Sequence, residues 1–199
     1  MWPISKIVET LRQWLIAEKQ NDPVERARRI AAKPSVYVLG AGGRNPKADV
    51  PFTKRDGKYG SDCVGFTCWC LGHDRYQPTS FSYYSGWINT DSLMDDARGK
   101  QSWYIEVAVP RPGDVVVFPS IYKDGARLRM GHIALVCEVP DDMPAGVWAR
   151  HDRKAWLERV KVIDCAAAKS RKLMGRAVAE TTAAASWDKP DAIWARLVR

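Results

Sequence analysis

The chain has 199 residues, with 31 Lys and Arg against 23 Asp and Glu, a formal charge of +8 at pH 7. That length suits one domain with an appended arm and excludes a long multidomain assembly. Its 46% apolar and 27% charged residues are those of a globular chain able to bury a sizeable core, which excludes wholesale disorder. No window approaches the roughly 18 uninterrupted apolar residues of a membrane span, and charges interrupt the apolar positions of the first residues, so neither a membrane helix nor a secretory signal is expected.

Cysteines at 63, 68, 70, 137 and 165 are odd in number and sit inside apolar segments, as expected of reduced thiols made in a cytoplasm. The positive charge is uneven, since residues 150–176 hold nine Lys and Arg against three Asp and Glu. Such a face should meet something anionic: nucleic acid, a membrane surface or bacterial cell wall.

In chain order, Ile4, Ile7, Val8, Leu11, Trp14 and Leu15 recur at three- and four-residue steps. Asp22-Pro23-Val24-Glu25 is a capped start for a second helix reaching Ala32. Residues 1–33 are therefore expected to form a helical arm packed on a domain spanning 34–199. From Gly40 to Gly60 five glycines and two prolines leave no helical period, which predicts a long ordered loop. Ser61-Asp62 then offers an N-cap, with Cys63 in the first turn and Cys63, Phe66, Thr67 and Cys70 on one face before Gly72 stops the helix. Val115–Phe118 and Gly131–Val139, with Lys123-Asp124-Gly125 between them, predict an antiparallel hairpin. Val160–Cys165 makes a third strand and Asp191–Val198 a last one. Helices first and strands afterwards argue for an α+β fold.

A cysteine at the start of a helix feels the positive end of the helix dipole, which favours the thiolate, and nucleophilic catalysis also needs a nearby base. His132 follows a glycine on a short strand among apolar neighbours. By spacing alone the two residues could equally be a buried small hydrophobe and a core histidine. Tyr37-Val-Leu-Gly40, Ser61-Asp-Cys-Val-Gly-Phe66, Pro112-Gly-Asp-Val-Val-Val-Phe118 and Gly131-His-Ile-Ala-Leu-Val136 occur in that order. In this they resemble the NlpC-type cell-wall cysteine peptidases, relatives of the CHAP amidases and of papain, over roughly residues 25–168. The resemblance implies a papain-like core in which a nucleophile-bearing helix packs on an antiparallel sheet. It implies Cys63 as nucleophile, His132 as base and Asp164, on the strand after His132, as the group that orients the imidazole. Tyr37 resembles a tyrosine lining the site near the thiol, and Asp62 a substrate-binding acid that is also the N-cap.

Two departures stand out. Val64 occupies a position where many relatives have Ser, and His132 and Asp164 are separated by a segment that includes His151, a rival for the third position. Cys63, Cys68, Cys70 and His73 could be taken for zinc ligands, but Cys68 and Cys70, two apart on a helix, point about 200° from each other, so no metal is expected. Trp87, in Tyr83-Tyr84-Ser-Gly-Trp87, falls where a cleft wall would lie and could stack on sugar or peptide.

The expectation is a cofactor-free, monomeric hydrolase of a stem-peptide amide in bacterial peptidoglycan. It would be made in the cytoplasm and act on the wall after release or injection, as a phage lysis or tail protein does, or as an effector with its own inhibitor or immunity protein. The basic segment, Arg171 and Lys172 included, would attract the polyanionic wall. Rivals are a nucleic-acid-binding module built on residues 150–176, and an inactive relative kept for assembly.

Overall fold

Val115–Val117 and Ile133–Val136, rich in β-branched residues, occupy the middle of the molecule. The computed structural model describes residues 4–9, 22–76, 86–100 and 103–198. Its strands are β1 (Thr53–Arg55), β2 (Lys58–Gly60), β3 (Tyr104–Val107), β4 (Val115–Phe118), β5 (Ile121–Lys123), β6 (Ala126–Arg129), β7 (His132–Glu138), β8 (Lys161–Cys165), β9 (Val178–Thr182) and β10 (Ile193–Leu197). Six of them form an antiparallel sheet in the order β3-β10-β4-β7-β8-β9. β1 with β2 and β5 with β6 make separate hairpins. Each turns on an Asp-Gly pair with positive φ at both residues, 49° and 78° at Asp56-Gly57 and 50° and 78° at Asp124-Gly125, the backbone twist that a two-residue hairpin loop needs.

Both faces of the sheet are buried, which is why its central strands read as continuous apolar runs. Val115, Val117, Ile133, Leu135, Ile163 and Cys165 share the first face with α1 (Pro23–Ala31) and α2 (Cys63–Cys70). Val116, Ala134, Val136 and Val162 share the second with Met143, Val147, Leu157, Trp187 and Trp194. The long connection from β7 to β8 thus roofs the second face, through a short helical turn and α4 (Arg153–Arg159), α3 being Thr90–Asp95. Fully burying a Leu or Phe contributes about 1.5–3 kcal/mol, so these two apolar layers hold the sheet in place.

The fold is α+β. α1 starts where Asp22 was expected to cap it, the carboxylate accepting from Val24 N and Glu25 N at 2.8 and 3.0 Å, and Val24, Ala27 and Ile30 enter the first core. Residues 4–9 are helical and exposed; Leu11, Trp14 and Leu15 of the expected first helix lie outside the described residues, as do Tyr83 and Tyr84. β4 and β7 pair as expected, Val115 opposite Leu135 and Phe118 opposite His132. What lies between them is a second hairpin, β5–β6, and the glycine-rich loop likewise contains the β1–β2 hairpin. α2 departs from the expected one-sided pattern, since all eight of its residues are buried.

Candidate active site

Asp62 fixes the start of α2. Its Oδ1 accepts from Gly65 N at 2.8 Å and from Arg75 Nη1 at 2.7 Å, and its Oδ2 accepts from Gly40 N at 2.7 Å. Both partners of the Asp62–Arg75 ion pair are buried, and Arg75 also donates to the carbonyls of Ile88 and Ala41. The glycine-rich loop lies directly on this turn: a Cβ on Gly65 would come within 2.4 Å of the Ala41 carbonyl oxygen. At the other end, Gly72 N bonds Trp69 O and His73 N bonds Cys68 O, with Gly72 at φ 76°, a left-handed cap that stops the helix. Cys63 is thereby held at the first helical position, where the N–H groups have no intrahelical acceptor.

His132 opens β7. Gly131 precedes it because a Cβ there would lie 1.9 Å from Thr90 Oγ1. The register that pairs Leu135 with Ile163 brings Asp164 opposite Ala134, diagonal to His132 on the same face of the sheet. His132 Nε2 and Asp164 Oδ2 are 2.6 Å apart, and Asp164 is 1% exposed. With Nε2 so engaged, Nδ1 is the nitrogen left for Cys63. Burial pulls the imidazole pKa down, but the charge of Cys63, the hydrogen bonds with Asp164 and Cys63, and the charge of Asp164 outweigh it and hold His132 up at about 10. Trp187, fully buried, stacks on the imidazole with ring centroids 5.1 Å apart and planes 18° from parallel.

A cavity of about 140 Å³ opens beside the thiol, lined among others by Tyr37, Asp62, Cys63, Thr90, Tyr122 and Arg127. Tyr37 reaches it from a bridge to Ser61, and burial together with the charges of Cys63 and Asp62 raises its phenol above the usual range, so it is a neutral wall. Trp87 does not line this cavity; its ring packs against the Arg75 guanidinium, 4.4 Å from the centroid. The β5–β6 hairpin contributes Tyr122 and Arg127, two lining residues that the sequence reading missed because it took their segment for a connection.

The rival residues lie elsewhere. His151 is exposed on the turn before α4. His73 is buried, with Nε2 2.9 Å from Tyr104 Oη, and burial lowers it to about 4. No group of His, Cys, Asp and Glu suited to a metal occurs among the described residues. Burial pushes Cys68 and Cys137 up to about 12 and raises Cys70 and Cys165 well above the ordinary thiol value.

The basic segment also differs from expectation. Arg150 pairs with Asp152, Arg153 with Asp188 and Arg159 with Asp142, at 2.7, 2.7 and 2.6 Å. Arg171, expected on a wall-facing surface, points inward to Asp164. Counting charges along a sequence does not reveal which of them folding will neutralise. Nor did any sequence signal mark Trp187, an isolated aromatic in a loop far from the motifs.

A thiol at a helix start, next to an imidazole that is hydrogen-bonded to a buried carboxylate at the end of an antiparallel sheet, defines the papain-like class of α+β domain. Within that class the chain belongs to the CHAP domain family, whose model matches residues 52–151, half of its length, including Cys63 and His132. CHAP domains are typically cysteine- and histidine-dependent amidohydrolases or peptidases, and peptidoglycan is the substrate they imply. Comparison with curated proteins and with solved structures gave no match. Among the described residues no helix is long and apolar enough to cross a membrane.

Proposed function

We propose that the protein cleaves an amide bond in the stem peptide of bacterial peptidoglycan through a Cys63 thioester, with His132 as base and acid and Asp164 as the group that orients it. The observation that carries this proposal is the 2.6 Å contact between His132 Nε2 and Asp164 Oδ2, with the cavity opening beside Cys63. The Cys63 thiolate attacks the carbonyl carbon, and the Cys63 N–H at the helix start helps to hold the oxyanion. His132 delivers its proton to the nitrogen as the C–N bond breaks, releasing the amine and leaving a thioester. Water then attacks, His132 takes its proton, and the acid leaves as the thiolate returns. Tyr37 walls the cavity beside the sulfur. Asp62, whose oxygens are both bonded within the protein, contributes by fixing the helix start. Trp87 contributes by packing on Arg75.

A second class, nucleic-acid binding through residues 150–176, is less favoured because Arg153 and Arg159 are ion-paired with acids outside that segment and Arg171 is turned inward to Asp164. The deciding experiment digests purified peptidoglycan and identifies the new termini by mass spectrometry. New amine and carboxyl termini within the stem peptide, absent with Cys63→Ala, are expected; intact walls with the folded wild-type protein would overturn the proposal.

A further inference from the structure

Asp164 is 1% exposed and carries one negative charge into the interior beside a histidine. A carboxylate has two oxygens, and only one of them faces His132. The other, Oδ1, lies 2.6 Å from Arg171 Nη1, a close ion pair rather than an aligned hydrogen bond. The same nitrogen donates to the backbone carbonyls of Asp164 and Ala177 at 3.1 and 3.2 Å. Arg171 sits on α5 (Lys169–Leu173), in the connection from β8 to β9, and its side chain is 12% exposed. The guanidinium is therefore anchored to main chain within β8 and just before β9, through contacts other than the one to the Asp164 carboxylate.

We propose that Arg171 is a positioning residue of the active site: by holding Oδ1 of Asp164 it keeps Oδ2 aimed at His132. The inference rests on the roles assigned above to Cys63, His132 and Asp164. A tie between β8 and β9 needs only the two carbonyl contacts, and the 2.6 Å contact to Oδ1 adds what such a tie does not need. Without Arg171 the carboxylate turns about its last torsion or shifts toward another donor, because Oδ1 is left buried with no cation beside it even while Oδ2 keeps His132. In either case the Oδ2 contact to the imidazole weakens.

The groups facing His132 are Cys63 from α2, Asp164 from β8 and the rings of Trp187 and Phe118. Those facing Asp164 are His132 and Arg171. Asp62, Tyr37 and Cys165 lie around Cys63. Because Asp164 is one of the groups that keep His132 protonated, losing its aim lowers the imidazole midpoint, whereas simply deleting a nearby positive charge raises it. The two effects have opposite signs.

The test follows the His132 ring signals by NMR through a pH titration of the full chain, alongside turnover of soluble peptidoglycan fragments. Variants are Arg171→Met, Arg171→Lys and, as a control from the same basic segment, Arg159→Met. In Arg171→Met the His132 midpoint is expected to fall by about one pH unit or more, with kcat down about tenfold and KM little changed. Arg171→Lys, which keeps the charge but not the planar guanidinium, is expected to fall between this variant and wild type, and Arg159→Met to match wild type. A folded Arg171→Met whose midpoint is unchanged or raised would overturn the proposal. If that variant does not fold, Arg171→Lys decides, and a wild-type midpoint in it overturns the proposal equally. The titration needs no substrate, so failure of the wild type to cut peptidoglycan would remove the functional reading and leave the positioning role standing.

Discussion

Up to formation of the thioester His132 has two tasks in the proposed reaction, to pair with the Cys63 thiolate and to protonate the leaving amine, and both need the imidazolium. Its environment holds it protonated up to about 10. We therefore expect kcat/KM on peptidoglycan fragments to fall as pH rises through about 10, as the proton donor is lost. Asp164→Asn keeps the size of the side chain but removes the charge that stabilises the imidazolium. Turnover is expected to drop at least roughly tenfold with wall binding retained, while His151→Ala, at an exposed turn, matches wild type; the reverse ranking in folded variants would move the role to His151. At the thiols, limiting iodoacetamide followed by peptide mapping should label Cys63 ahead of the other four, which burial keeps protonated at neutral pH. Equal labelling of all five would contradict this. Spacing alone did not single out Cys63, His132 and Asp164; the resemblance did, through motifs whose helix cap, glycine before a strand and period of two are local features, and the structure brings the three side chains together. Arg171 had no such signal, because its inward turn depends on where β8 and β9 end in space.

α2 shows what the pattern of a single element does and does not disclose. Its start was readable from Ser61-Asp62 and its end from Gly72, since caps are written in adjacent residues. Its all-round burial was also present in Cys-Val-Gly-Phe-Thr-Cys-Trp-Cys, which has no charged position, although spacing alone suggested one face. The role of Gly65 emerges only with the loop folded over it. Gly65→Ala places a methyl against main chain that cannot move aside cheaply, and a loss of about 1–3 kcal/mol in denaturant unfolding is expected. Tolerance of the substitution at wild-type stability would mean that the loop does not lie on the helix as described. The β5–β6 hairpin was hidden for a different reason: its residues are largely exposed, so no apolar alternation marks it, and only its Asp-Gly turn was visible.

For the whole molecule, the charge of +8 is a poor guide to how a polyanion meets the surface, because several arginines are already paired. Wall binding is still expected to weaken as salt rises, since exposed charges are screened beyond about 8 Å at physiological ionic strength. Arg127→Gln, at the cavity wall, should lower both affinity and its salt dependence in pull-down with purified walls. Arg159→Gln, paired with Asp142, should change neither. Global stability should follow pH in a definite direction too. His132 titrates at about 10 in the fold against an ordinary 6.5, so its contribution is fully present below about 6.5 and is lost as pH rises through about 10. Denaturation midpoints across that range would detect it.

The family match stops at residue 151, whereas Asp164, Arg171 and Trp187 come later in the chain, along with β8, β9 and β10. Anyone transplanting this unit onto a foreign targeting module would be wrong to cut at the recognised boundary. Such a graft would carry Cys63 and His132 without the buried carboxylate that the imidazole contacts. It would also bare both margins of the β4–β7 ladder, inviting the self-association that unpaired strands promote. The smallest portable piece therefore extends through β10, and shuffling experiments should set their junctions beyond it.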